Sequence, residues 1–318
     1  MAGSAGGEAR EGVALTNLDA GLFASSEATK RDLVDYLDAV SDRILPVLRD
    51  RPLSVVRVHR GREAFMQKNL PKGAPDWIRT VVLWSGSSRR EVAYALCDDR
   101  RTLLWFANQR AVEYHPALVR ATRLDHVTEL VLDLDPPVPA PFAEVVAVAR
   151  AAREALGAVG LEGAVKTSGS KGLHVVVPVD EDTAATDVAA AARALARRTE
   201  ALLPERATTA FLKDDRGGKV FVDSTRVGAA TVVAAYSPRL RPGTPVSYPV
   251  GWDGLEEVVP RELTVRTALE RLGDADPWAE QMPSPQALPA DLVAEGHEIP
   301  VARLQAMHEG RRRARARR

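Results

Sequence analysis

The sequence predicts a mixed α and β protein, of α/β or α+β class, on three observations. Short apolar runs rich in β-branched residues recur along the chain, long stretches carry helical periodicity, and Gly, Pro and charged turns separate them. The 318 residues suit one large domain or two ordinary ones, and 45% hydrophobic with 27% charged residues is ordinary for a soluble globular protein. No uninterrupted apolar run approaches the roughly 20 residues of a membrane span. A single cysteine, Cys97, excludes a disulfide framework and a Cys-rich zinc site, so a reducing cytoplasm is expected. The 43 basic and 43 acidic residues balance, which excludes a bulk polycation but leaves room for local basic patches.

Residues 1–12 are small and polar, without the apolar core of a signal peptide, and are expected to be disordered. Thr29 caps a helix, KRDLVDYLDAVSDRILPVL, with Leu33, Tyr36, Leu37, Val40 and Ile44 on one stripe and Pro46 kinking or shortening it. Between 53 and 125, LSVVRV, RTVVLW, EVAYALC and TLLWFA read as strands, and Cys97 falls in one of them as a core residue. ELVLDLD follows as a strand, then a helix from about Phe142 to Leu161, the strand AVKTS, the turn SGSKG and the strand LHVVVPV. An alanine-rich helix runs from about Thr183 to Leu203, and GKVFVD and TVVAAY are two more strands. Beyond Ser237 the chain is irregular and proline-rich, and Trp252 with the VRTALERL helix closes the folded part. Residues 284–318 form an extension ending in GRRRARARR, either a solvated tail or a nucleic-acid arm.

The chemistry concentrates in three segments. In ELVLDLD, Asp133 and Asp135 point to the same face of a strand while Leu134 points to the other. Two carboxylates so placed repel unless a cation lies between them, and oxygen donors of this kind suit Mg²⁺ or Mn²⁺. On the D-x-D alone, a solvated strand end, with one aspartate capping the turn at Pro136, is the favoured reading. GKVFVD repeats the layout with Asp223 at the end of an apolar strand, supplying a third carboxylate for a two-metal site. SGSKGLH places Ser168, Lys171 and His174 between two strands with glycines that let backbone approach an anion. It is no P-loop, because Gly172 rather than Ser or Thr follows Lys171.

ELVLDLDPP, TSGSKGLHVVVPV and GKVFVD, in this order, with YSPRLRP after them, resemble the three motifs of the archaeo-eukaryotic primase superfamily. The polymerase domain of bacterial DNA ligase D is the nearer likeness, from LTNLD near residue 15 to about residue 280, so 13–283 are expected to form a primase-polymerase domain. The resemblance implies an α+β fold of two curved, mostly antiparallel sheets flanked by helices, with the active site between them. It implies Asp133, Asp135 and Asp223 as ligands of two Mn²⁺ or Mg²⁺ ions, and Ser168, Lys171, His174, His115 and Arg239 as contacts to an NTP or dNTP. Asn17 and Lys30 match a pocket for a 5′-phosphate across a gap. Phe65, Lys68, Arg216, Lys219, Arg226 and Arg241 would touch template or primer. The implied activity is template-directed nucleotide addition to a 3′ end at gaps or broken DNA ends, in non-homologous end joining or excision-repair gap filling. Ku and a separate DNA ligase are the implied partners, and the location is cytoplasmic, at the nucleoid. A de novo primase, or a DNA-end-binding scaffold with weak polymerase activity, are alternative readings. The chain departs from the pattern at Ala20, where another lysine is usual, at Met66, where a second stacking aromatic is usual, and at Val227.

Overall fold

Short apolar runs, several of them buried along their whole length, form the strands of the computed structural model, which describes residues 8–59, 63–85, 89–228 and 230–301. The Arg-rich end lies outside the described residues, as do residues 1–7. By packing, the chain divides into two compact units, each assembled from separate stretches of sequence. Of the described residues, the first takes those up to 122, 231–249 and 259–279, and the second takes those within 123–230, 250–258 and from 280 onward.

In the first unit, β1 (Ala9–Arg10) pairs with β2 (Val13–Ala14), so chain expected to be disordered up to residue 12 is paired from residue 9. Thr29 caps α1 (Lys30–Ala39) through a reciprocal box: its hydroxyl accepts from the Asp32 N–H, and Asp32 accepts from the Thr29 N–H. The long helix expected here breaks at Val40 rather than at Pro46, and α2 (Ser41–Leu48) carries the proline inside it. The central strand β3 (Leu53–Arg57) pairs with β4 (Phe65–Gln67) and touches β6 (Arg90–Ala95), which forms a hairpin with β5 (Thr80–Ser85). TLLWFA is not a strand. It lies in α3 (Arg100–Asn108), capped by Asp99, whose Oδ1 accepts from the Thr102 N–H at 2.7 Å. A short apolar run fits either period, and the cap decides for helix. Cys97 is fully buried, and burial raises its thiol well above the usual range, consistent with a core residue. The strand β7 (Ala111–Pro116), absent from the sequence expectations, pairs along β3. TVVAAY is also not a strand; it hydrogen-bonds to the Pro116 and Tyr114 carbonyls and then turns at Tyr236, whose φ is 67°.

The second unit is built on β8 (Glu129–Asp135), β9 (Ala164–Thr167), β10 (Leu173–Pro178), β11 (Ala207–Thr208) and β12 (Val220–Asp223). They lie in the order β11–β12–β8–β10–β9, antiparallel except for β11 with β12. Leu130, Leu132 and Leu134 are buried from β8, on which α4 (Phe142–Gly157) and α5 (Ala185–Leu202) pack. Both helices end short of their expected limits.

A further helix, α6 (Ala290–Glu298), packs on α5, so the folded part does not close near residue 272. The alanine-rich face of α5 lets it approach closely: a Cβ on Gly296 would lie 1.9 Å from the Ala190 carbonyl oxygen. Arg193 donates to the Gly296 carbonyl, and Arg198 pairs with Glu295. Gly296→Ala is expected to lift α6 off α5 at a cost of about 2 kcal/mol, seen as faster proteolytic removal of the C-terminal segment. Unchanged cleavage would show that the contact does not hold the helix. Among the described residues no helix is long and apolar enough to cross a membrane.

Candidate active site

The register of the second sheet sets the site. Asp133 of β8 is the cross-strand partner of His174 on one side and of Asp223 on the other, and His174 is in turn the partner of Lys166. Directly paired residues share a sheet face, so Lys166, His174, Asp133 and Asp223 form a row across four neighbouring strands. Lys166 Nζ lies 2.8 Å from His174 Nδ1, and His174 Nε2 lies 3.4 Å from Asp133 Oδ1. Burial raises the Asp133 carboxyl, but the His174 ring, Arg226 and Lys166 outweigh it and hold the group below the usual carboxylate range.

Asp135 shares that face two residues on, as the D-x-D spacing requires. It is partnered by Lys171 Nζ at 3.0 Å and Arg216 Nη1 at 3.5 Å. The Arg216 guanidinium also lies over the Phe221 ring, 3.8 Å from its centroid. Arg226 Nε stands 3.9 Å from Asp133 and 3.6 Å from Asp223, so one guanidinium spans two carboxylates. Asp223 is further held by the Thr225 N–H and hydroxyl, at 2.8 and 2.6 Å. Lys219 is not brought to this cluster; its ammonium donates to the Pro204 carbonyl at 2.6 Å.

The SGSKG loop closes on itself, with Ser168 N–H donating to the Gly172 carbonyl and Gly172 N–H to Ser168 Oγ. Its glycines do more than admit an anion. A Cβ on Gly172 would lie 2.3 Å from the Leu134 carbonyl oxygen, so only glycine lets the loop press against the end of β8. That approach carries Lys171 to Asp135 and to the Pro136 carbonyl, 2.5 Å away.

His115 and Arg239 belong to the first unit and meet there on a residue that sequence reasoning passed over. Glu113 is buried on β7, two residues before His115 and on the same face. It accepts from the Leu240 N–H at 2.8 Å, lies 2.7 Å from His115 Nε2 and 3.1 Å from Arg239 Nε. The E-x-H spacing in a strand was the signal available for it. Burial raises the Glu113 carboxyl, but His115, Arg239 and the Leu240 N–H outweigh this and hold it at about 2. A carboxyl below its unfolded value stabilises the fold above about pH 4.5, and that contribution fades as pH falls toward 2. Glu113→Gln is therefore expected to lower stability by about 3 kcal/mol at neutral pH, narrowing by roughly 2 kcal/mol at pH 3. Denaturant unfolding at both pH values measures the gap, and a gap independent of pH would refute the assignment.

Lys30, also in the first unit, is 2% exposed. Its ammonium donates to the Thr16 carbonyl and, at 2.6 Å, to Asn108 Oδ1; burial, with the Arg110 charge nearby, pushes it down to about 8. Asn17 adopts a positive φ of 51° in the turn before Ala20. Phe65 and Met66 are open on β4, and adjacent strand residues face opposite ways, so they do not form one stacking platform. Phe65 stacks on His59 with ring centroids 5.7 Å apart. Lys68 and Arg241 are exposed.

The three carboxylates offer hard oxygen donors, and arginine and lysine side chains neutralise them. This donor chemistry fits a divalent cation. Among the described residues, however, no three His, Cys, Asp or Glu side chains cluster tightly enough to hold one.

Residues 29–278 match the family model of the LigD primase-polymerase domain. The chain belongs to the LigD primase-polymerase family. It is 34% identical over 280 residues to the multifunctional non-homologous end joining DNA repair protein LigD of Mycobacterium tuberculosis, covering 84% of this chain and 36% of that protein. The bifunctional non-homologous end joining protein LigD of Bacillus subtilis is 30% identical over 262 residues, covering 81% of this chain and 42% of that one. This chain thus spans well under half the length of these LigD relatives. The polymerase domain of M. tuberculosis ligase D in complex with DNA superposes with a TM-score of 0.78 at 33% identity, over 85% of this chain and 97% of that one. The α+β primase-like fold is therefore shared with the LigD family, whose matched region begins at the α1 cap and stops before α6.

Proposed function

We propose that this chain is a template-directed nucleotidyltransferase that adds nucleotides to a 3′ end at gaps or broken DNA ends, in non-homologous end joining. Ku and a separate ligase are proposed partners. The observation that carries this reading is the in-register pair of Asp133 and Asp223 between His174 and Arg226, within a chain that belongs to the LigD polymerase family. Asp133, Asp135 and Asp223 would hold two Mn²⁺ or Mg²⁺ ions, which supply charge for the triphosphate and lower the pKa of the primer 3′-hydroxyl. Lys171 and Ser168 at the loop, with His174 on the strand, bind the triphosphate of an incoming NTP or dNTP and stabilise charge on the departing pyrophosphate. Arg216, Lys219 and Arg226 neutralise primer and template phosphates. In the first unit His115 and Arg239, held by Glu113, contact the nucleotide, while Asn17, Phe65, Lys68 and Arg241 contact DNA. No observation favours de novo priming or a scaffold role.

The test is extension of a gapped duplex with Mn²⁺, comparing NTPs with dNTPs, and gaps with and without a 5′-phosphate. Extension is expected. Absence of incorporation with either metal, despite tight DNA binding, would overturn the reading. Because the Lys30 ammonium is committed to Thr16 and Asn108 and residue 20 is alanine, the 5′-phosphate is expected to leave the rate unchanged. A strong stimulation by it would show that Lys30 turns outward on binding DNA.

A further inference from the structure

We propose that Lys166 is a positioning residue that fixes the tautomer of His174, so that the ring offers an N–H to the triphosphate. The inference rests on the nucleotidyltransferase reading for the identity of the phosphate, but the geometry behind it does not.

Lys166 is 2% exposed, one strand further from the carboxylates than His174 and in register with it. Its Nζ lies 2.8 Å from His174 Nδ1. While Lys166 carries its proton, its ammonium has donors and no acceptor, so Nδ1 receives the hydrogen bond and the ring proton sits on Nε2. Nε2 is the nitrogen that faces Asp133 Oδ1, at 3.4 Å. With the proton there, the Nε2 edge of the ring donates to an oxygen, whether of Asp133 or of a phosphate that takes its place. In the other tautomer that edge would present a lone pair toward Asp133 and toward phosphate oxygens, which repels both. Burying an ammonium is costly, and a lysine placed behind the ring at that cost does what no exposed lysine could: it sets which nitrogen carries the proton. Lys166 lies one strand beyond His174 from the carboxylates, and its hydrogen bond reaches them through that ring.

Long-range ¹H–¹⁵N spectra of the ¹⁵N-histidine-labelled protein, without metal or nucleotide, test this directly, with His174→Gln to assign the resonances. His174 in the unaltered protein is expected as the Nε2–H tautomer. Lys166→Met is expected to admit the Nδ1–H form and to raise the KM for the nucleotide roughly tenfold with kcat less affected. Lys166→Arg, which keeps a donor, is expected to retain the original tautomer. An Nδ1–H ring in the unaltered protein overturns the proposal whether or not the methionine variant folds. So does an unchanged ring in Lys166→Met. Because the spectra need no turnover, they separate failure of this inference from failure of the polymerase reading.

Discussion

Asp133→Ala is expected to abolish primer extension, lowering it on the order of 10³-fold or more, while the protein still folds. Asp133 is the centre of the row: it faces His174 at 3.4 Å and shares the Arg226 guanidinium with Asp223. Without it, Arg226 keeps one carboxylate, the His174 N–H loses its acceptor, and the oxygen donors fall from three residues to two. The side chain is partly open at the end of β8, and its loss removes repulsion from Asp223 as well as attraction to Arg226. Melting is therefore expected to move by only a few degrees, for an effect of about 1 kcal/mol. Asp133→Asn, which keeps the shape and removes the charge, is expected to be as inactive. Extension on a gapped duplex and a thermal melt of the same preparations decide the matter. A folded Asp133→Ala protein that extends normally would eliminate these carboxylates as the catalytic centre.

Gly172→Ala has the second largest expected effect, on a residue with no functional group. Its added Cβ would stand 2.3 Å from the Leu134 carbonyl oxygen, a backbone atom of β8 at a residue paired with Leu173 on one side and Val222 on the other. The loop must move instead, and with it the contact of Lys171 with Asp135 and the Ser168–Gly172 closure. A shift of about 1 Å in a phosphate-binding group lowers kcat/KM by roughly 10²-fold, and the strain lowers stability by about 2 kcal/mol. Steady-state kinetics with varied nucleotide, beside denaturant unfolding, measures both. Normal kinetics in this variant would mean that the loop does not need to lie against β8 to bind nucleotide.

The elements that carry the candidate site were largely legible in the sequence because strand periodicity is local. The D-x-D pair, the apolar strands ending in Asp135 and Asp223, and the donor-rich SGSKG turn between strands all stand where periodicity and turn chemistry place them. Failures came where a local signal was ambiguous or distributed. TLLWFA fits strand or helix, and Asp99 tips it to helix. AVEYHP was not read as a strand, so Glu113, on the same face as His115, was missed. Lys219 sits near Asp223 in sequence yet donates to Pro204. The helix after residue 289 lies beyond the apparent end of the fold because its docking depends on the small side chains of α5, about a hundred residues earlier.

By itself, then, the sequence determined the α and β content, the order of the motifs and the residue types that can bind phosphate and divalent cations. Tertiary structure alone decided which of them meet. Pairing register places Asp133 between His174 and Asp223, and a register one residue different would send the carboxylate to the buried face. It also decided that Lys166 stands behind His174, that Glu113 gathers His115 and Arg239, and that Lys30 turns inward. These are contacts between residues far apart in the chain or on separate strands. Their energies depend on burial and cross-strand distance, which no local pattern of residues encodes.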